Sequence, residues 1–208
     1  MTVSIRPSTR KDLPAIVRLL AESLEADPIY LDILPARPGR RRALEHFYVA
    51  YLRALGAQRG VVDLARDAEG ALVGVAVWER SPVGNDSAFL PQLANTHLFL
   101  RALGLRGMFP AKHLQEVLEA HRPVDAHWYL PVVAVRPESR RTGVASALLR
   151  HRLDELDEQG LAAYLESGTV DDRRFFERMG FIPGAVIQGL PASRPVGMFR
   201  APARRRAR

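Results

Sequence analysis

The sequence predicts a mixed α/β domain in which helices flank one central sheet. Apolar residues change repeatedly between helical and strand spacing along the 208 residues, glycine and proline mark most of these changes, and no linker interrupts the chain. The 47% apolar and 25% charged residues are typical of a globular protein. We therefore expect a single domain over residues 1–200, followed by a basic, disordered tail over residues 201–208.

Strands are predicted where apolar residues alternate or run continuously between turn residues. They are Thr2–Arg6, Val61–Arg66, Leu72–Glu79, Trp128–Val135, Ala162–Glu166, Phe181–Gln188 and Val196–Arg200. The turn residues from Asp67 to Gly70 join the second and third strands as a hairpin. Trp128–Val135 is almost wholly apolar, as expected of a strand buried on both faces, and Pro131 inside it predicts a bulge or a break in pairing.

Helices are predicted where apolar residues recur at helical spacing. They are a helix capped by Asp12, a helix over Arg41–Leu55, a helical region from Ala88 to His121 interrupted by Gly104, Gly107 and Pro110, a helix ending near Glu158, and a short helix over Asp171–Met179. The element order is therefore β-α-α-β-β-α-β-α-β-α-β-β.

Composition excludes several classes of protein. The chain has no cysteine, which excludes disulfides, thiolate metal sites and cysteine nucleophiles. No apolar run approaches the roughly 20 residues that span a bilayer, and the N-terminus lacks the apolar centre of a signal peptide, so we expect a cytoplasmic protein without a membrane partner. The formal charge of +7 falls to +3 without the four arginines of residues 204–208, and this mild charge predicts no nucleic-acid partner.

The segment from Val133 to Leu149 carries the clearest functional signal. A buried strand leads into a tight loop that opens a helix, and such a helix start presents unpaired N–H groups and the positive end of the helix dipole. These features predict a phosphate site, whereas the alternative is a simple turn with solvated arginines. The residues that add charge, hydroxyl donors or small size are Arg140, Arg141, Thr142, Gly143, Ala145 and Ser146.

This loop resembles motif A of the GNAT superfamily of N-acetyltransferases, Arg/Gln-x-x-Gly-x-Gly/Ala, with Arg140, Gly143 and Ala145 at the defining positions. Leu165-Glu166-Ser167, followed by the segment Phe175–Phe181, is similar to the later motif of that superfamily, in which a short helix ends in Gly-Phe. Two motifs in the right order are more specific than either alone. Within the superfamily, the chain from His121 onward is similar to puromycin N-acetyltransferase-type enzymes.

The resemblance implies a GNAT-like fold, with a central, mostly antiparallel sheet split between strands 4 and 5 and flanked by helices. It also implies acetyl-CoA as the cosubstrate, with the pyrophosphate on the motif A loop and the pantetheine along strand 4. No metal is expected. The cofactor-binding residues that it implies are Val133, Ala134, Val135, Arg140, Arg141, Thr142, Gly143, Val144, Ala145, Ser146 and Phe176.

The catalytic candidates are acidic and phenolic residues at predicted strand ends. Many superfamily members place a tyrosine in the last helix to protonate the leaving thiolate, but the matching residue here is Phe176, which cannot donate a proton. Glu166 and Glu79 are the candidate bases, and Tyr129 is a candidate substitute acid. The alternatives are a structural hydrogen bond for Glu166, a solvated strand end for Glu79 and core packing for Tyr129.

The expected activity is transfer of an acetyl group to the primary amine of a small molecule, by direct attack in a ternary complex. The alternatives are an acyl-CoA sensor with little turnover and an N-acetyltransferase for proteins or peptides. Trp78, Phe89 and Phe99 are candidates to line an aromatic acceptor pocket, and simple core packing is the alternative for each. The sequence is compatible with a monomer or a homodimer.

Overall fold

A computed structural model describes residues 2–34, 38–81 and 96–203. The strands are β1 (Ser4–Pro7), β2 (Gly60–Arg66), β3 (Leu72–Arg80), β4 (His127–Val135), β5 (Ala162–Ser167), β6 (Ile182–Val186) and β7 (Val196–Arg200). The helices are α1 (Leu13–Ser23), α2 (Pro28–Ile33), α3 (Arg40–Arg59), α4 (Thr96–Glu119), α5 (Val144–Gln159) and α6 (Val170–Arg178).

The strands form one sheet in the order β1-β2-β3-β4-β5-β7-β6. Neighbouring strands are antiparallel except β4 and β5, which run parallel and pair only from His127 opposite Ala162 to Tyr129 opposite Tyr164. Beyond these residues the two strands separate, and this gap is called the split below. The predicted mixed α/β class, with a mostly antiparallel sheet split between strands 4 and 5, is therefore confirmed.

A β-bulge interrupts β4 next to the split. Val132 pairs with Val77 and Tyr129 pairs with Glu79, so that two residues of β4, Leu130 and Pro131, stand opposite one residue of β3. Proline cannot donate to a strand ladder, which explains why the irregularity falls here. The pairing break that the sequence predicts at Pro131 is confirmed.

Each face of the sheet carries its own apolar core. On one face, helices α1 to α4 pack against strand residues that include Val77 and Val132. On the other face, α5 and α6 pack against residues that include Trp78 and Leu130. The split therefore lies between two helical layers, with α5 beginning on one side of it and α1 to α4 on the other.

The α1–α2 region differs from the prediction in two ways. Asp12 does not cap α1 through its side chain; instead its carboxylate accepts hydrogen bonds from the backbone N–H of Thr9 (2.8 Å) and from Arg6 (2.8 and 3.0 Å). Pro28 begins the unpredicted helix α2, whose N-cap Asp27 accepts a hydrogen bond from the Ile29 N–H at 2.9 Å. Proline favours the first helical position because its missing N–H would be unpaired there in any case.

The other predicted helices are found close to the expected positions. Of the three predicted interruptions in α4, Gly104 has a non-helical backbone, while Gly107 and Pro110 lie within the helix. The predictions for residues 88–95, including Phe89, and for the tail arginines at 204–208 lie outside the described residues. None of the described helices is long and apolar enough to cross a membrane.

Candidate functional site

The loop between β4 and α5 has the backbone geometry of an anion site. After a 3-10 turn over Pro137–Ser139, Arg141 has φ of 62° and Gly143, the N-cap of α5, has φ of 93°. A Cβ added to Gly143 would have no heavy atom within 4 Å, so the left-handed backbone and not a lack of space requires glycine. The loop can therefore bring its backbone close to a ligand.

Backbone donors converge at the start of α5. The first helical bond runs from the Ala147 N–H to the Gly143 carbonyl at 2.9 Å, so the N–H groups of Val144, Ala145 and Ser146 precede the helical ladder. They lie at the positive end of the helix dipole, where an anion is stabilised. The Val144 side chain is buried, so only its backbone is available to a ligand.

The polar side chains of the loop are partly engaged within the protein. Arg140 is exposed and donates to the carbonyl of Ser23 at the end of α1 (3.1 Å). The Thr142 hydroxyl donates to the Ser139 carbonyl (2.7 Å), which competes with its predicted role as a donor to phosphate. Arg141 is exposed to solvent. Arg140 and Arg141 therefore supply positive charge at the rim of the loop.

Beyond Tyr129, the β4 edge that faces β5 leaves the strand ladder. The predicted pantetheine-binding residues Val133, Ala134 and Val135 lie on this stretch, and their other edge pairs with β3. Backbone N–H and C=O groups that leave a ladder need other partners. The Val135 carbonyl accepts a hydrogen bond from the Ser23 hydroxyl at 3.2 Å, and the other backbone groups that face the split are offered to an extended ligand.

A buried polar cluster lies where β4 and β5 begin to separate. The Tyr129 hydroxyl donates to Oε2 of Glu166 at 2.6 Å. The Arg122 guanidinium stacks over the Tyr129 ring, with its Cζ 3.7 Å from the ring centroid. Its Nε lies 3.6 Å from Glu166 Oε1, and the Glu166 side chain is only 3% exposed. Within the described part of the chain, Glu166 Oε1 accepts no hydrogen bond.

Glu79, the second predicted catalytic carboxylate, lies beside this buried polar cluster. Glu79 pairs in register with Tyr129, and its Oε1 accepts a hydrogen bond from the Tyr51 hydroxyl of α3. Tyr129 in turn pairs with Tyr164 of β5, two residues before Glu166. The structure therefore brings together all three predicted catalytic residues, Glu79, Tyr129 and Glu166, on three adjacent strands.

Burial shifts the proton affinities in this cluster. It raises the pKa of Glu166 above its usual value, although Arg122 and the hydrogen bond from Tyr129 act in the opposite direction. Burial, together with the nearby Glu166 carboxylate, also raises the pKa of Tyr129 well above its ordinary value. Tyr129 therefore keeps its proton at neutral pH and donates it in the hydrogen bond to Glu166.

An aromatic wall formed by Tyr30, Phe47, Tyr51 and Phe99 adjoins Glu79 on the α1–α4 side. The Phe47 ring stacks on Tyr51 with centroids 6.2 Å apart and meets Phe99 edge-on at 5.8 Å. Tyr30 meets Phe47 edge-on at 6.1 Å. Phe99 therefore belongs to this wall.

Trp78 and Phe176 pack on the opposite side of the sheet. Trp78 is fully buried in the core formed by α5 and α6, so it does not line the wall. Phe176 is 7% exposed in the same core, with ring centroids 5.2 Å from Phe175 and 5.9 Å from Phe181. The ring of Phe176 therefore helps to hold α6 against the sheet.

Comparison with known proteins agrees with this geometry. Residues 28–181 match the acetyltransferase (GNAT) family. The chain is a member of the GNAT family. A Corynebacterium glutamicum structure described as histone acetyltransferase HPA2 and related acetyltransferase is 29% identical over 100% of both chains, with a TM-score of 0.75.

Two more distant structures share the GNAT fold. Arylalkylamine N-acetyltransferase 2 from Aedes aegypti is 14% identical, with coverage of 98% of this chain and 100% of that one and a TM-score of 0.64. PaiA N-acetyltransferase from Thermoplasma acidophilum, in complex with coenzyme A, is 11% identical, with coverage of 97% and 99% and a TM-score of 0.58.

Family membership makes this chain an acyltransferase with acetyl-CoA as its cosubstrate. The motif A loop between β4 and α5 fits that ligand, because backbone N–H donors, a glycine with a left-handed backbone and two exposed arginines meet at the start of α5. In the described residues, no group of three or more His, Cys, Asp or Glu side chains is arranged to hold a metal ion.

Arg122 and Tyr51 contact the candidate catalytic residues but are not among the predicted site residues. Arg122 lies in a turn, and the sequence carries no sign that this turn reaches β5. Tyr51 lies within the predicted helix Arg41–Leu55, and Glu79, which accepts a hydrogen bond from its hydroxyl, lies 28 positions further along the chain. Contacts of such separation leave no periodic signal in the sequence.

Proposed function

We propose that the protein transfers the acetyl group of acetyl-CoA to the primary amine of a small molecule, by direct attack in a ternary complex. The observation that carries this proposal is Glu166, a buried carboxylate at the split with one oxygen that accepts no hydrogen bond in the described part of the chain. A buried carboxylate in this position can take a proton, through a bridging water, from an amine that enters the split. Acetyl-CoA supplies the reactive thioester.

The proposed cofactor residues follow the loop and the unpaired edge of β4. The N–H groups of Val144, Ala145 and Ser146 bind the pyrophosphate, and residues 133–135 hold the pantetheine through their backbone. Arg140 and Arg141 neutralise phosphate charge at the rim. Phe176 supports this site indirectly, by holding α6 in place.

Proton removal from the acceptor is the step that most needs catalysis. An alkyl amine with a pKa near 10.4 is neutral in only about one molecule in a few thousand at pH 7. In the proposed reaction the cationic amine gives one proton to Glu166, its nitrogen attacks the thioester carbonyl carbon, and the carbon–sulfur bond breaks. The CoA thiolate leaves and takes up a proton from solvent, while the second proton on the nitrogen is lost to solvent. General-base assistance of this kind contributes roughly 10²- to 10⁴-fold in rate.

We propose an acceptor that joins an amine to an apolar or aromatic body. The aromatic wall beside Glu79 supports this class, since a cationic amine is attracted by the carboxylate and by aromatic ring faces. A puromycin N-acetyltransferase-type activity fits this description and remains a proposal. The likeness to an arylalkylamine N-acetyltransferase also favours a small amine, while the likeness to a structure described as a histone acetyltransferase keeps a protein acceptor as the second candidate.

We further propose that the enzyme acts in the cytoplasm as a monomer or homodimer. Residues 1–200 would form its single domain, residues 201–208 would be a basic, disordered tail, and neither a nucleic acid nor a membrane would be a partner of the protein. The mild charge of the chain without its tail supports this proposal.

The first test is acetyl-CoA binding followed by CoA release with a panel of aromatic and aliphatic amines and N-terminal peptides. We expect acetyl-CoA to raise the melting temperature, because it binds the native state, and an aromatic amine to give the fastest release of CoA. Binding without CoA release from any acceptor would instead select an acyl-CoA sensor. Release with peptides alone would select a protein acetyltransferase.

The second test separates the two carboxylates. Glu166→Gln is expected to lower kcat/KM by about 100-fold or more and to leave the acetyl-CoA affinity unchanged, because only the base is lost. Glu79→Gln is expected mainly to raise KM for the amine. Glu158→Gln, at an exposed position of α5, is the matched control and should behave as the wild type. If Glu166→Gln keeps full activity, Glu166 is not the base.

A further inference from the structure

Arg122 is held against the split by three separate contacts. It lies in the turn after α4, where its N–H donates to the Glu119 carbonyl at 3.2 Å. The preceding carbonyl, of His121, accepts a hydrogen bond from Tyr164 of β5 at 3.4 Å. The guanidinium itself stacks on the Tyr129 ring at 3.7 Å. A long side chain is thereby fixed over the point where β4 and β5 separate.

The same guanidinium lies beside Glu166 without closing a hydrogen bond to it. Arg122 Nε is 3.6 Å from Glu166 Oε1, within ion-pair distance but beyond a good N–H···O bond. Both atoms are buried and have no hydrogen-bond partner in the described part of the chain. Tyr129 occupies the other carboxylate oxygen, Oε2. Oε1 therefore keeps its lone pairs and faces a fixed positive charge.

We propose that Arg122 is a positioning residue that holds Glu166 as an oriented carboxylate, with the buried Oε1 left without a hydrogen bond so that it can take up the acceptor's proton. This inference rests on the proposed function, in which Glu166 accepts that proton. Arg122 does not touch the reacting atoms; it acts through Glu166 and through the Tyr129 ring.

The surrounding charges make this cation necessary. Tyr129 on β4 and Tyr164 on β5 face Glu166 as neutral phenols, and both keep their protons because burial raises their pKa values. The acidic neighbours that act on Arg122 besides Glu166 are Glu79 on β3 and Glu119 on α4. A third phenol, Tyr30 on α2, also lies in the field of both Glu79 and Glu166. Without Arg122, Glu166 would share a buried site with further acidic groups and would retain its proton to higher pH.

Stacking explains why arginine and not lysine fits this position. A planar guanidinium can lie flat on a phenol ring while its edge faces a carboxylate, whereas an ammonium is a compact, strongly hydrated charge. Lysine at this position would keep the charge and lose the orientation. The two substitutions Arg122→Lys and Arg122→Met therefore separate orientation from charge.

The first experiment follows the protonation of Glu166 directly, without any acceptor. Protein labelled with ¹³C at the glutamate carboxyl carbons is titrated by NMR, and the Glu166 signal is assigned by its loss in Glu166→Gln. We expect Arg122→Met to move the titration midpoint of Glu166 upward by about one to three pH units and Arg122→Lys to move it less. An unchanged midpoint in Arg122→Met overturns the proposal.

The second experiment measures the pH dependence of kcat/KM by CoA release, with an amine that the wild type acetylates. The acidic limb should move to higher pH in Arg122→Met in parallel with the NMR midpoint, while acetyl-CoA affinity stays constant. A uniform loss of rate at every pH overturns the proposal, because that is the signature of a merely structural role.

Two controls keep the outcomes distinct. Arg200→Met removes another partly buried arginine, paired with Asp157 at 2.6 Å on the α5 side of the sheet, and should leave the Glu166 midpoint unchanged. In the Glu166→Gln variant, adding Arg122→Met should change kcat/KM by less than about threefold, because the carboxylate through which Arg122 acts is already absent. If no amine is acetylated, the proposed function fails, and the NMR titration still decides whether Arg122 governs Glu166.

Discussion

The contact between Gly74 of β3 and the first turn of α5 offers a test of how the sheet positions the cofactor loop. A Cβ added to Gly74 would lie 2.7 Å from Cγ1 of Val144 and 2.9 Å from Cδ1 of Leu148. Carbon atoms prefer separations of about 3.5–4.0 Å, so Gly74→Ala has to displace the start of α5 or its side chains by roughly 1 Å. Gly74 is not among the residues predicted to bind acetyl-CoA.

The expected magnitude follows from this overlap. Overpacking in a well-filled core costs about 1–3 kcal/mol, so Gly74→Ala should lower the free energy of unfolding by that amount. The N–H groups of Val144, Ala145 and Ser146 move with the helix start. If the displaced N–H groups weaken the binding free energy of the pyrophosphate by about 1 kcal/mol, the Kd for acetyl-CoA rises roughly fivefold.

Urea unfolding and calorimetric titration with acetyl-CoA measure the two effects separately. Val144→Ala removes the closer of the two overlapping atoms, so the double variant Gly74→Ala/Val144→Ala should recover part of the affinity that Gly74→Ala loses. Gly168→Ala is the matched control, because its added Cβ would meet Ile29 at an ordinary 3.5 Å. Wild-type acetyl-CoA affinity and stability in Gly74→Ala would refute the reasoning.

Three further predictions concern the loop and the buried charges. Gly143→Val places a branched residue at a backbone φ of 93°, which costs roughly 1–2 kcal/mol. Calorimetric titration should therefore show weaker acetyl-CoA binding, and an unchanged affinity would contradict a backbone role for this turn. Arg152→Met removes the guanidinium that pairs with the fully buried Asp63 carboxylate at 2.6 and 3.0 Å, and should lower the free energy of unfolding in urea by about 3–5 kcal/mol. The double variant Arg152→Met/Asp63→Asn should lose less, because no buried charge is left unpaired. Equal losses in the single and the double variant would contradict this explanation. The hydrogen bond from Arg6 holds the pKa of Asp12 well below its usual range. The ionised carboxylate therefore stabilises the folded protein above the unfolded pKa of about 3.9, and this stabilisation is lost as the pH falls. The free energy of unfolding of Asp12→Asn should fall less on acidification than that of the wild type, and an identical fall would contradict this role of Asp12.

The features that the sequence predicts well are those with a local signal. The motif A loop is recognised because Gly143, a buried strand and a helix start follow one another within a few positions. The bulge at Pro131 is predicted for the same reason, since a proline without an N–H cannot sit in an unbroken ladder. The split is implied by resemblance, and the short pairing of β4 with β5 confirms it.

The features that the sequence does not predict depend on distant contacts or on very short elements. Helix α2 has only six residues, too few for a periodic apolar pattern, and the capping role of Asp27 becomes visible only with the structure. The ion pair of Arg122 with Glu166 joins a turn to a strand 44 positions away. Asp63 and Arg152 are similarly remote, with 89 positions between them.

The placement of the phenols changes how the chemistry of this family member is understood. Phe176 on α6 cannot protonate a leaving thiolate, and its ring is packed into the α5/α6 core. The tyrosines at the split, Tyr129 and Tyr164, lie on the strands, and Tyr129 directs its proton to Glu166. A thiol with a pKa near 8.5 is largely protonated by solvent at pH 7, so a dedicated acid is less needed than a base for the acceptor amine. The polar groups at the split therefore fit the proposed removal of a proton from the acceptor better than protonation of the thiolate, and Phe176→Tyr should raise turnover far less than Glu166→Gln lowers it.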